Sequence, residues 1–330
     1  MELRVTKTNR IFADGKHNAF PGAVFFKGAY YISFRSGSDH ISFDGSITVI
    51  RSEDLKNWEV SAEIHMDSID LRDTAMIAHD GRILLYTGYR AENLKKRQTA
   101  IYSSCDGVSF KKEKDCDALC DYWLWSVVFF NGEFYAAAYT ICDDYFYRHK
   151  ASVFKSANGV DFDLLCEIPA PGGEPSIDMS PDGTMHVLVR NDKNGSFPHL
   201  AKAKAPYNEF YSCEVVPVNL QGFILKRMKD SYVIIGRTWD YPGRRNLRTA
   251  IYVLEDNKLL RNINVLPSGG DTSYAAWIDT EPGKAILAYY SAHEYCMDCE
   301  FDQDLKNDPA AAEHNSGADI YLASLCYKES

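Results

Sequence analysis

Arg35, Arg72, Trp123, Glu174, Arg190, Arg237, Tyr274 and Tyr290 stand eight residues before or after one of six tight-turn signals in a chain of 330 residues. Side chains of these types do chemistry when they are gathered at one place. Arg35, Arg190 and Arg237 together would form a positive focus for a carboxylate, sulfate or phosphate, which guanidinium groups bind in a fork. A carboxylate beside a phenol can take its proton and turn it into a nucleophile, a role open to Glu174 and Tyr274. Glu174 sits in a rigid setting, after Pro171-Gly172-Gly173 and before Pro175. Its other reading is an ion pair with one of the arginines, since structural networks also cluster charge. Singly, an arginine at a strand end is solvated and a tyrosine on a strand is unremarked. The shared offset is what sets this group apart.

The turns themselves read Lys27-Gly28, Asp80-Gly81, Asn131-Gly132, Asp182-Gly183, Lys229-Asp230 and Pro282-Gly283, at intervals of 47 to 53 residues. All but the fifth carry the glycine that a two-residue hairpin needs for positive φ. Repeats of this length built from short strands predict an all-β fold, a six-bladed β-propeller. Residues equidistant from a hairpin turn face each other across an antiparallel pair. The positions eight before and eight after each turn therefore predict one polar, concave mouth at one end of the ring. A second repeat has the form Ser-x-Asp-x-x-x-Trp: Ser52 to Trp58, Ser104 to Phe110 and Ser156 to Phe162, each 52 residues from the next. It reads as turn chemistry, with Ser and Asx side chains bonding nearby backbone N–H groups and an aromatic anchor beneath.

Hydrophobic content of 45% and aromatic content of 13% suit a large packed core, read here as one domain over 1–330. A net charge of −10 speaks against a nucleic-acid surface, which needs clustered Lys and Arg. The first residues show no apolar signal region, and no run approaches the roughly 18 apolar residues of a membrane span. Nine cysteines scattered among strand-like segments fit reduced thiols and a cytoplasmic location. An acidic stretch, 293–318, reads as a loop inserted in the last blade. It contains a single Cys296-x-x-Cys299 pair with His293 and His314 nearby, too little for a zinc site. Neither metal nor cofactor is expected. Glu2–Thr6 or Asn9–Phe12 would supply an outer strand to the last blade and close the ring.

The Ser-x-Asp-x-x-x-Trp/Phe boxes, Gly173-Glu174-Pro175 with Arg190, Gly236-Arg237, and Gly270-Asp271-Thr272-Ser273-Tyr274 resemble the sialidase superfamily over essentially the whole chain. The resemblance implies Tyr274 as nucleophile and Glu174 as the base that takes its proton. It implies Arg190 and Arg237 as two of three arginines on a substrate carboxylate, with Arg35 a further arginine from blade one. The acid/base aspartate would lie in the loop after Arg35, where Asp39 and Asp44 both qualify beside His40; Asp44 is preferred. A tyrosine nucleophile suits an anomeric carbon that bears a carboxylate, which would repel a carboxylate nucleophile.

One position departs from that pattern. Where the resemblance expects an arginine just before a proline, the chain has Asn18-Ala19-Phe20-Pro21. Arg72 is the residue that would compensate. Asp73 and His17 are further candidates for sugar hydroxyls, and Trp123, Trp125 and Tyr122 for a stacking platform, whose alternative is edge packing. Asp271 and Tyr290 complete the expected substrate-binding set. The partner implied is a carbohydrate, and the reaction is removal of a terminal, acidic sugar. An Asp/Glu-pair glycosidase, a glycan-binding propeller without catalysis and a polysaccharide lyase are the alternatives the sequence leaves open.

Overall fold

A computed structural model describes the chain except residues 92–97, 116, 120, 141–148, 192–196, 241–244, 257, 259, 296–316 and 329–330. It opens with β1 (Glu2–Phe12) and then runs through the blades in order. Blade one is β2 (His17–Phe26), β3 (Ala29–Gly37), β4 (Ser46–Ser52) and β5 (Glu59–Ile64). Blade two is β6 (Ile69–His79), β7 (Arg82–Ala91), β8 (Gln98–Ser104) and β9 (Lys111–Asp115). Blade three is β10 (Tyr122–Phe130), β11 (Glu133–Thr140), β12 (Lys150–Ser156) and β13 (Asp163–Pro171). Blade four is β14 (Gly173–Met179), β15 (Met185–Arg190), β16 (His199–Ala203) and β17 (Phe210–Val215). Blade five is β18 (Gln221–Arg227), β19 (Ser231–Asp240), β20 (Arg245–Glu255) and β21 (Leu260–Val265). Blade six is β22 (Thr272–Glu281), β23 (Lys284–Ser291) and β24 (Asp319–Lys328), with β1 as its outer strand.

These six antiparallel sheets form the six-bladed propeller that the turn spacing predicts. β1 pairs with β24 from Glu2 to Phe12, so both proposed N-terminal segments belong to the one closing strand. Each turn signal joins the first two strands of its blade. Lys27, Asp80 and Asn131 take positive φ together with their glycines, the backbone a type I′ hairpin requires. A hydrophobic cluster fills each interface between neighbouring blades. Tyr31, Val49, Leu71 and Leu85 join blades one and two, and Ile32, Phe34, Ile286 and Ile320 join blades one and six across the closure. Among the described residues no helix is long and apolar enough to cross a membrane.

The repeated boxes occupy the fourth-strand turns at the rim that carries the hairpins. Asp54 Oδ1 accepts from the N–H groups of Lys56 and Asn57, Asp106 Oδ1 from Val108 and Ser109, and Asn158 Oδ1 from Val160 and Asp161. They also tie blades together. The Tyr86 hydroxyl of blade two donates to the Gly159 carbonyl of blade three at 2.9 Å. The boxes are structural, and they lie at the rim opposite the ends where the matched polar residues meet.

Candidate functional site

Every innermost strand breaks register near its first residues. The shifts fall at Ala19/Gly22, Arg72/Thr74, Leu124/Ser126, Gly173/Ser176, Gln221/Ile224 and Ser273/Ala276. A bulge inserts one residue and re-aims its side chain. In five of the six blades that residue has positive φ: Phe20 (60°), Asp73 (42°), Glu174 (48°), Gly222 (52°) and Tyr274 (48°). Such backbone is costly for residues other than glycine and is retained at functional sites. Phe20, Asp73, Trp125 and Tyr274 from four blades line a cavity of about 70 Å³.

The bulges bring Glu174 and Tyr274 into contact. The Tyr274 hydroxyl donates to Glu174 Oε1 at 3.0 Å. Arg190 Nη1 donates to the same carboxylate oxygen at 2.5 Å and to the phenol oxygen at 3.2 Å. Glu174 is thus ion-paired with Arg190 and hydrogen-bonded to the Tyr274 phenol at once. Burial pushes the Tyr274 phenol well above its ordinary range, with the Glu174 charge adding to the effect against Arg190 and Arg237. The resting phenol is therefore neutral. Phe20 meets its ring edge-on at 5.0 Å and Trp125 at 5.6 Å, while the Arg237 guanidinium lies 5.7 Å from its centroid. Gly222 passes so close that a Cβ there would lie 2.5 Å from Tyr274 Cε2.

Asp73 faces the same space. Burial raises its carboxyl to about 7, with the charges of Glu174 and Asp70 adding to the rise and Arg72 opposing it. A carboxyl that titrates there can give and take a proton at neutral pH. The sequence reading placed Asp73 among sugar contacts and missed this, because the raised value comes from enclosure that no local motif records.

Asp271 forms a second centre beside the first. Its Oδ1 accepts from the Tyr290 hydroxyl at 2.6 Å and from Arg237 Nη1 at 3.1 Å. Its Oδ2 lies 2.9 Å from His17 Nε2 and 2.5 Å from His40 Nδ1. Burial opposes the Asp271 charge, yet the two imidazoles and their hydrogen bonds hold its carboxyl well below the usual range. Asp271 and Tyr290 are both buried, and the Asp271 carboxylate is turned to Tyr290, Arg237, His17 and His40.

Four other expectations change. Arg35 is fully buried: Nε donates to Asp70 Oδ1 at 2.7 Å, Nη1 to the Asp39 carbonyl and Nη2 to Ser42. It anchors the loop that carries His40. Asp44 accepts from the Ser38 N–H and hydroxyl at the surface. Partial burial works the other way, but hydrogen bonds from Ser42 and Ser38 draw its carboxyl below the ordinary value, the wrong direction for a general acid. Asp39 caps the His40 N–H with its side chain. Trp123 is buried in the cluster between blades three and four, its indole edge filling the space over Gly88. Edge packing was the correct alternative there, and Trp125, two residues on, is the indole that faces Tyr274.

Arg72 does reach the mouth. Its Nη1 donates to the His40 carbonyl at 2.6 Å and to Asp70 Oδ2 at 3.2 Å, its Nε lies 3.8 Å from Asp73, and its guanidinium covers the Phe20 ring at 5.0 Å. Phe20 fills the level at which the resemblance expects an arginine from blade one. Of the 293–318 stretch only its first and last residues are described, so the Cys296/Cys299 pair lies outside the described residues.

No protein-family model matches this sequence, and no curated protein matches it significantly. Solved structures do. A protein of unknown function from Dyadobacter fermentans superposes with a TM-score of 0.79 at 15% identity, over 99% of each chain. The phage phi92 endosialidase gives 0.72 at 10% identity, over 98% of this chain and 69% of that one. The Trypanosoma rangeli sialidase, solved with the inhibitor DANA, gives 0.65 at 10% identity, over 93% of this chain and 55% of that one. At such identities the likeness is one of fold: this chain is a propeller distantly related in architecture to the sialidase-like enzymes.

Proposed function

We propose that the protein is a retaining glycoside hydrolase that removes a terminal acidic sugar from an oligosaccharide or glycoconjugate through a Tyr274 nucleophile. The observation that carries this reading is the triangle of Tyr274 Oη, Glu174 Oε1 and Arg190 Nη1, all within 3.2 Å of one another. In the first step Tyr274 attacks the anomeric carbon as its proton passes to Glu174. Arg190, already bonded to both oxygens, stabilises the phenolate character that develops. Asp73, protonated for much of the time near pH 7, gives its proton to the departing glycosidic oxygen. In the second step Asp73 takes a proton from water, which displaces the tyrosyl ether, and Glu174 returns the proton to Tyr274. Arg72, Arg190 and Arg237 supply positive charge for a sugar acid, and Trp125 and Phe20 supply apolar ring faces.

The test is a panel of aryl glycosides, including sialosides and uronides, with a 2- or 3-fluoro sugar as trap. A fluorosugar adduct on the peptide bearing Tyr274 supports the reading. Turnover that survives both Tyr274→Phe and Glu174→Ala removes it.

A further inference from the structure

The two imidazoles at Asp271 come from separate parts of blade one. His17 opens β2, and His40 lies in the loop between β3 and β4 that Arg35 pins from beneath. Asp271 arrives from the start of blade six, just before Tyr274. His17 Nε2, His40 Nδ1 and a carboxylate oxygen of Asp271 all lie within 4.8 Å of one another. The carboxylate is oriented as a metal ligand would be: Tyr290 and Arg237 fix Oδ1, which turns Oδ2 toward both rings. Such outer contacts are the usual support of a ligating carboxylate.

His17 supplies a second observation. It is fully buried, and its Nδ1 has no hydrogen-bond partner among the described residues. A buried imidazole held only by one shared hydrogen bond is poorly compensated for leaving water. Nε2, the nitrogen turned to Asp271, is the atom a cation would take, in place of its present hydrogen bond to Oδ2. The His40 ring is 24% exposed, so the cluster opens toward the mouth on one side.

We propose that His17, His40 and Asp271 form a binding site for one first-row divalent cation, zinc above all, with its remaining coordination positions open to the mouth. Two imidazole nitrogens and one carboxylate oxygen are a borderline donor set that favours zinc, cobalt or manganese over magnesium and calcium. The ion would stand on the blade-one side of the mouth, where Ala19 provides no charge. Its open positions would take oxygen ligands, a sugar carboxylate or vicinal hydroxyls. Cation binding stands independently of the glycosidase reading; only the choice of sugar oxygen as outer ligand rests on it.

The experiment is titration of chelator-stripped, full-length protein with zinc, and separately with cobalt, followed by calorimetry and by the visible spectrum of bound cobalt. The expected result is one ion per chain in the wild type and in Tyr274→Phe, with at least a tenfold loss of affinity in His17→Ala and in His40→Gln. Because His17 is buried and its variant can fail to fold, crystals of wild-type protein soaked in zinc give a second readout, an anomalous peak between the three side chains. Failure of the stripped wild type to take up an equivalent ion overturns the proposal. So does uptake unchanged in folded His40→Gln, which keeps a hydrogen-bonding group but not an imidazole.

Discussion

Tyr274 and Glu174, one hundred residues apart in sequence, share a 3.0 Å hydrogen bond on the propeller axis because each occupies the bulge of its blade's inner strand. Arg190 binds both. In the mechanism proposed above the triangle would hold a nucleophile, its base and a charge stabiliser in direct contact, and the two side chains are separable by mutation.

Tyr274→Phe removes the proposed nucleophile and should lower turnover by up to about 10⁶-fold, and leave the melting temperature nearly unchanged. Glu174→Ala should do both kinds of harm. It removes the base and leaves Arg190 buried without its carboxylate, a loss of about 3–5 kcal/mol for a broken buried pair. Thermal melts of the two variants beside Glu174→Gln check the difference.

The pH dependence should centre on Asp73. As acid in the first step it must be protonated, so turnover should fall as pH rises through about 7, and Asp73→Asn should lose that limb with most of the activity. Stability follows the same sign. A carboxyl raised from its unfolded value binds more protons when folded, so its favourable contribution is full below about pH 4 and fades as pH climbs toward 7. Denaturant melts at pH 5 and 8 should show Asp73→Asn gaining on the wild type at the higher pH.

Arg35→Ala should act on stability and not on substrate affinity. Its guanidinium is paired with Asp70 and holds the 38–45 loop from within, so the expected cost is about 3–5 kcal/mol. Gly45→Ala is a companion test, since a Cβ there would stand 2.0 Å from Asp70 Oδ1 and 2.8 Å from Arg35 Nε. A raised KM with unchanged melting in Arg35→Ala would restore Arg35 to the substrate.

Gly222→Ala should damage catalysis more than folding. The new methyl would press on the Tyr274 ring at 2.5 Å and would also hold φ at 52°, where a Cβ is strained by about 1–2 kcal/mol. Shift of the phenol away from Glu174 should cut kcat with a modest fall in melting temperature. Steady-state kinetics with a melt on the same sample decide it.

The two indoles of β10 should divide cleanly. Trp123→Ala opens a cavity between blades three and four and should cost about 3–5 kcal/mol. Trp125→Ala should leave the fold in place and weaken substrate binding through the lost face beside Tyr274. Equilibrium unfolding and KM, measured on both, give opposite orderings.

The turn signals, the 47- to 53-residue repeat and the apolar strands were legible in the chain because they are local: glycine's positive φ and hairpin pairing operate over a few residues. They were enough to give six blades, the closing role of the N-terminus and the rim on which Glu174, Arg190, Arg237 and Tyr274 meet. What tertiary structure decided was the direction and partner of each side chain. A bulge of one residue turns Trp125 rather than Trp123 toward the axis, since side chains alternate with a period of two and one insertion exchanges the faces. Arg35 and Arg237 stand at equivalent strand ends, yet one is enclosed by Asp70 and its own loop and the other lies over the Tyr274 ring. Asp73 and Asp44 are the same residue type, separated only by how much water each keeps and by which charges surround it. Burial and ion pairing depend on neighbours brought from other blades, and no stretch of sequence contains them.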